Sequence, residues 1–116
     1  MINGFENITH DLTEYELKEC VPFMVKGLRY CIGEGRALTA DNGCKVMEKH
    51  GLKMNPARWR KCVNFIRRMK LIQGLISTSK GYFVAENDQQ IQKFIQSLQE
   101  RIDAIEAVKQ SFKQRS

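Results

Sequence analysis

Between Asn55 and Leu71 the chain reads NPARWRKCVNFIRRMKL, and few folds can accommodate such a stretch. Asn55 is a good helix N-cap, and Pro56 suits the first helical position, where its missing N–H costs nothing. From there Trp59, Cys62 or Val63, Ile66 and Met69 recur at three- and four-residue steps. That spacing predicts a helix running to about Leu71 with one apolar stripe, which must lie on a larger body. The rest of the helix carries Arg58, Arg60, Lys61, Arg67, Arg68 and Lys70, six bases with no acid among them. Arg58, Lys61, Asn64 and Arg68 are expected to face away from the stripe, with Arg60 and Arg67 on its flanks.

The basic character is local. Residues 1–35 hold three Lys or Arg against six Asp or Glu, residues 36–85 eleven against two, and residues 86–116 five against five. The net +6 of the chain is therefore a block of +9 in the middle, offset by −3 at the start. Evenly spread charge speaks only of solubility, whereas a segregated block makes a positive field that draws polyanions. Six bases without a balancing acid are hard to explain as a merely solvated face.

With 116 residues there is room for one domain and an appended element. A chain of this size buries roughly 65% of its unfolded surface and stands without metal or disulfide. Its longest early apolar run, Cys20–Val25, is far too short to span a membrane, and no basic-then-apolar signal segment opens it. A cytoplasmic protein is expected. Cys20, Cys31, Cys44 and Cys62 are 11, 13 and 18 positions apart, without the tight knuckle from which zinc sites draw two ligands. His10 and His50 do not complete a ligand set. Four reduced, mostly buried thiols are expected, with no metal and no cofactor.

Residues 1–12 show no period and read as an arm, with Phe5, Ile8 and Leu12 able to pack down. Thr13 and Glu16 form a capping box that opens a helix toward Ile32, which Pro22 should kink or split. Ala37-Leu38 reads as a very short strand. Thr39 caps a helix over about Ala40 to His50, with Cys44, Val46 or Met47 and His50 facing inward, and Gly51 ends it. After Gly74, Leu75–Thr78 and Tyr82–Ala85 are β-prone runs joined by Ser79-Lys80-Gly81, a hairpin. Tyr82 and Val84, or Phe83 alone, should point inward. Asn87 or Asp88 then caps a long helix to about Phe112.

The basic helix ARWRKCVNFIRRMKLI followed by LISTSKGYFVA resembles the recognition-helix-to-wing passage of the winged helix-turn-helix family, as in small bacterial and phage regulators. The resemblance covers roughly residues 37–85. It implies a winged helix-turn-helix domain, placed here at 13–86; with the arm (1–12) and the long amphipathic C-terminal helix (87–116) read from the residues themselves, the expected fold is mainly α with a small β-hairpin. It also implies double-stranded DNA binding in transcriptional or replication control. Arg, Lys and Asn are the side chains that pair with guanine and adenine edges in the major groove. Arg58, Arg60 and Lys61 in the first turn are then the leading contacts, followed by Asn64 and Arg68. Arg67, Lys45, Lys49 and Lys80 would serve phosphates. Each has a plainer reading: Trp59 as core, Arg67, Arg68 and Lys70 as helix C-terminal charges, and the wing as a fold element only.

Residues 88–112 would span about 38 Å as a helix, against a radius of gyration of only about 13 Å for a compact chain of this length. With Ile91 as position a, Leu98, Ile105 and Phe112 also fall at a, Phe94 and Val108 at d, and Ile95 and Ile102 at e, while Arg101 interrupts one d. The stripe is wide for a strict zipper. Its far end calls for a partner, and homodimerisation through Ile95, Leu98, Ile102, Ile105, Val108 and Phe112 is the economical choice.

No catalytic constellation is visible: no G-x-S-x-G, no Walker glycine loop, no H-E-x-x-H. Cys44 and His50, six apart on one helix, would not face each other. The protein is read as a DNA-binding module rather than an enzyme. The alternative is a winged-helix adaptor of phage or mobile-element replication or assembly, whose basic face meets an acidic protein. A ligand-sensing regulator would need an apolar pocket.

Overall fold

The computed structural model describes residues 12–113. The chain divides at Ala85 into two compact units. It is mainly helical, with one antiparallel hairpin and a long C-terminal helix.

The described part of the first unit begins with the expected capping box; the arm expected before it, with Phe5 and Ile8, lies outside the described residues except for Leu12. Thr13 N–H donates to Glu16 Oε1 at 2.9 Å, and Glu16 N–H donates to Thr13 Oγ1 at 3.1 Å. A π-helical turn, Glu16–Cys20, leads without a break into α1, Val21–Leu28. Here Val21 N–H reaches back to Glu16 O. Pro22 has no N–H to offer the carbonyl four residues back, and the helix accommodates this by widening the preceding turn instead of splitting. It also stops at Leu28, short of Ile32, because Arg29 and Tyr30 turn and Cys31 N–H closes on Leu28 O at 2.9 Å.

A short 3₁₀ turn, Glu34–Arg36, precedes Leu38. The expected short strand is a single bridge: Leu38 and Tyr82 exchange two N–H···O bonds of 2.9 and 2.8 Å. Helix α2, Ala40–Lys49, is capped by Thr39, whose Oγ1 accepts from Asn42 N–H at 3.1 Å. Gly51 follows at a φ of 82°, as expected of its left-handed role. Cys44 and Met47 are buried, Met47 rather than Val46 taking the inward place, but His50 is exposed, contrary to the inward face expected for it. His50 lies one residue past the end of α2, as its C-cap with a non-helical backbone, so the helical period no longer sets where its side chain points.

Helix α3, Pro56–Arg68, begins on Asn55, whose Oδ1 accepts from Arg58 N–H at 2.8 Å. Trp59, Cys62, Val63 and Ile66 are buried as the period predicts. The helix ends before Leu71, however, and Met69 is exposed. Lys70 takes a left-handed φ of 57°, Lys70 N–H donates to Arg67 O, and Leu71 N–H reaches back to Ile66 O at 3.0 Å. This is a helix-ending reversal of the kind glycine usually supplies.

Strands β1, Leu75–Thr78, and β2, Gly81–Val84, pair from Leu75 opposite Val84 to Thr78 opposite Gly81. The loop is thus only Ser79-Lys80, and β2 starts one residue earlier than the sequence suggests. Gly81 allows this in two ways. Its φ is 126°, and a β-carbon there would lie 2.7 Å from the backbone of Leu38. Phe83 is buried, while Tyr82 and Val84 are half-buried; the Tyr82 ring meets Trp59 edge-on at 5.7 Å. The core gathers Cys20, Met24 and Leu28 of the first helix, Met47 of α2, the buried side of α3 and Leu75. Each large apolar side chain so buried contributes about 1.5–3 kcal/mol.

The second unit is one helix, α4, Asp88–Lys113, 26 residues long. Asn87 is its cap, with Oδ1 accepting from Gln90 N–H at 3.0 Å. None of its residues is buried.

Candidate nucleic-acid interface

The six bases of the α3 stretch fall into groups with different surroundings. Arg58 lies at four- and eight-residue steps from Cys62 and Ile66, on the buried side of the helix. Its Nε donates to Glu16 Oε2 at 2.7 Å, its Nη1 donates to Lys53 O at 2.8 Å, and its guanidinium stands 5.3 Å over the Tyr15 ring. Lys61 Nζ reaches the other carboxylate oxygen, Glu16 Oε1, at 3.1 Å. The Glu16 side chain is only 3% exposed, against 27% for Arg58 and 41% for Lys61. Burial alone would raise the Glu16 pKa, but the Thr13 N–H, Arg58 and Lys61 together outweigh it and hold the carboxyl below its ordinary value. Reciprocally, the hydrogen bond to Glu16 pushes Arg58 up.

Arg67 is also engaged: Nε donates to Leu75 O at 2.9 Å and Nη2 to Ser77 Oγ at 3.2 Å, tying α3 to β1. The backbone of Lys70 makes the helix reversal, and its exposed side chain lies beyond the helix end. What remains is a line at four-residue steps, Arg60, Asn64 and Arg68, all exposed, with Ala57 at its start and Lys61 beside it. The line covers about 12 Å along the axis. Arg58 and Arg60 have thus exchanged the places expected of them. A three-step count from Cys62 and Val63 places Arg60 on a flank, whereas the four-step line through Asn64 and Arg68 is the one that faces solvent.

Elsewhere in the unit Lys45 and Lys49 are exposed, one turn apart on α2. Lys80 is exposed at the hairpin tip, where its backbone N–H donates to Thr78 Oγ1 at 3.1 Å. None of Arg60, Arg68, Lys45, Lys49 and Lys80 has a side-chain partner among the described residues. Their charges are available to a ligand.

The Glu16 clamp is the feature that sequence reasoning missed. A signal existed: Glu16 precedes Cys20, Met24 and Leu28 at four-residue steps, so it sits on the buried face of its own helix. An acid there needs a cation. Which cation, 42 residues away, is a matter of tertiary packing.

The thiols of Cys20, Cys44 and Cys62 are buried and Cys31 is half-buried; all four are free. Burial raises each, that of Cys62 up to about 12. His50 turns Nδ1 to Val46 O at 2.9 Å and stacks obliquely on Phe23. Among the described residues no three His, Cys, Asp or Glu side chains gather as metal ligands would. Among the described residues no helix is long and apolar enough to cross a membrane. An apolar hollow of about 230 Å³ is lined by residues of α1 and α2, among them Phe23, Gly27 and Val46, together with Trp59 of α3.

Compared with protein-family models, curated proteins and solved structures, the chain matches none.

Proposed function

We propose that the protein binds double-stranded DNA as a winged helix-turn-helix module in transcriptional or replication control. The supporting observation is the solvent-facing line Arg60–Asn64–Arg68 on a helix whose opposite side is core. The order of elements also suits this reading. Helix α1, the Leu38 bridge, α2, α3 and the hairpin follow one another as in that family, with Leu38 adding a third edge to β2.

In this arrangement α3 enters the major groove. Arg60 and Arg68 address guanine O6 and N7 or nearby phosphates, and Asn64 addresses adenine. Lys45, Lys49 and Lys80 hold the backbone on either side. Arg58 and Arg67 do not reach DNA. They fix the helix to Glu16 and to β1, so that its outer line meets the groove as a rigid edge. Lys61 is shared, with one N–H on Glu16 and the others free.

Fluorescence anisotropy on a labelled random duplex at several salt concentrations tests the proposal. Five free cations predict log K falling against log salt with a slope of about −4 to −5. Arg60→Ala with Arg68→Ala should weaken binding at least tenfold and reduce that slope by about 2, while the melting temperature stays put. Duplex affinity too weak to measure at low salt would overturn it and leave the basic line to an acidic protein partner. A collapse of stability in the double variant would show the two arginines to be structural.

A further inference from the structure

We infer that α4 pairs with the α4 of a second copy as a parallel two-stranded coiled coil, in register, with Ile95 and Ile102 at a and Leu98, Ile105 and Phe112 at d. This inference stands apart from the DNA reading and can fail or hold without it.

The frame follows from the spacing. Starting at Ile91, apolar residues occur at 91, 95, 98, 102, 105 and 112, steps of four and three that continue through Lys109. Taking Ile91 as d gives d at 91, 98, 105 and 112 and a at 95, 102 and 109. Arg101, which interrupts the seam when Ile91 is placed at a, moves to g, where a charge belongs. The structure leaves the seam open: Ile95, Leu98, Ile102, Ile105, Val108 and Phe112 are 37 to 67% exposed, consecutive along one side of the helix. An apolar stripe this long, uncovered, is an interaction surface.

Charge selects the occupant and its direction. In a parallel pair, position g of one helix lies beside position e of the next heptad on the other. Arg101 is at g, and the e residue five positions on is Glu106, so Arg101 of each copy meets Glu106 of the other, twice by symmetry. Antiparallel pairing sets g against g and e against e. It brings Arg101 to its own copy or to Val108, and Glu106 to glutamine, with no opposite charges meeting. From Ile91 onward Lys109 at a is the one polar seam residue, a feature that fixes register and favours two strands at some cost in stability.

The area also suits a second copy. The six exposed apolar side chains offer roughly 600 Å² per helix, so a pair removes about 1,200 Å², the lower edge of specific interfaces. A reversible dimer is expected. Connectivity then gives it a consequence: both Ala85 junctions leave from the same end of the coil.

Sedimentation equilibrium on the full chain tests the pairing, and Phe112→Cys tests its direction. The wild type should dimerise at micromolar concentration, and Ile102→Glu should raise the dimer dissociation constant at least a hundredfold. Near-ultraviolet circular dichroism of the single tryptophan should be unchanged by that variant. Arg101→Glu should weaken the dimer several-fold, and adding Glu106→Arg should restore most of the loss. Oxidised Phe112→Cys should form a disulfide-linked dimer that wild type does not, since the two chains bring residue 112 together only when parallel. A wild-type monomer at 100 μM, a dimer indifferent to Ile102→Glu, a charge swap that restores nothing, or an uncrosslinked Phe112→Cys dimer would each overturn the inference.

Discussion

Replacing Arg58 by Ala separates the packed from the solvent-facing arginines on one helix. The guanidinium makes a charge-assisted bond of 2.7 Å to a carboxylate whose side chain is 3% exposed, and a second bond to Lys53 O. Its loss leaves Glu16 with Lys61 and the Thr13 N–H. A charged hydrogen bond is worth about 1.5–3 kcal/mol, and breaking a buried pair costs up to about 5. Arg58 itself is partly solvated, so about 2–3 kcal/mol is expected. For a unit of this size the urea m-value is about 1–1.5 kcal/mol/M, and the midpoint should fall by about 2 M. Trp59 is the only tryptophan, is buried, and lies next to Arg58, so its fluorescence reports the transition directly. Arg60→Ala, two residues away and exposed, should stay within about 0.5 kcal/mol of wild type while losing DNA affinity. If the two variants unfold at the same urea concentration, the assignment of Arg58 to the fold and Arg60 to the surface is refuted.

Three further outcomes are expected. The folded-state pKa of Glu16 lies below its ordinary value of 4.5, so its contribution is complete above that pH and drains away as the solution is acidified through the lowered value. The urea midpoint of Glu16→Gln should therefore fall less between pH 7 and pH 3.5 than that of wild type. Lys70→Gly relieves a left-handed φ of 57° on a side-chain-bearing residue and should stabilise by about 0.5–1 kcal/mol in thermal melts. Gly43→Ala places a methyl into the Trp59 ring and should destabilise by about 1–3 kcal/mol, with a shifted tryptophan emission maximum.

Punctuation was the most legible layer of the sequence. Thr13 with Glu16, Thr39, Asn55-Pro56 and Gly51 mark helix ends because capping is a local reaction between neighbours, and each cap forms as the residues dictate. The buried side of α3 and the hairpin were legible for the same reason, since their periods are properties of one element. The end of α3 was not, because Lys70 adopts a conformation that nothing about lysine announces. The outward face of α3 was half legible. The period of the helix places Arg58 and Lys61 outward, but a carboxylate from the first helix engages Arg58 and, in part, Lys61. Arg67 was withdrawn by a strand carbonyl. Contacts of this kind depend on which elements meet, and composition along one helix does not encode that.

The tether between Glu16 and α3 bears on how freely this helix can be moved. Cut from its surroundings and grafted into another scaffold, Pro56–Arg68 would carry two cations whose counter-ion had been left behind. They would then be free to pair elsewhere or to turn the helix about its axis. The unit that specifies the basic edge is therefore discontinuous, beginning at Thr13 and closing at Arg68, and transplanting that edge intact means carrying along a capping turn that lies outside it.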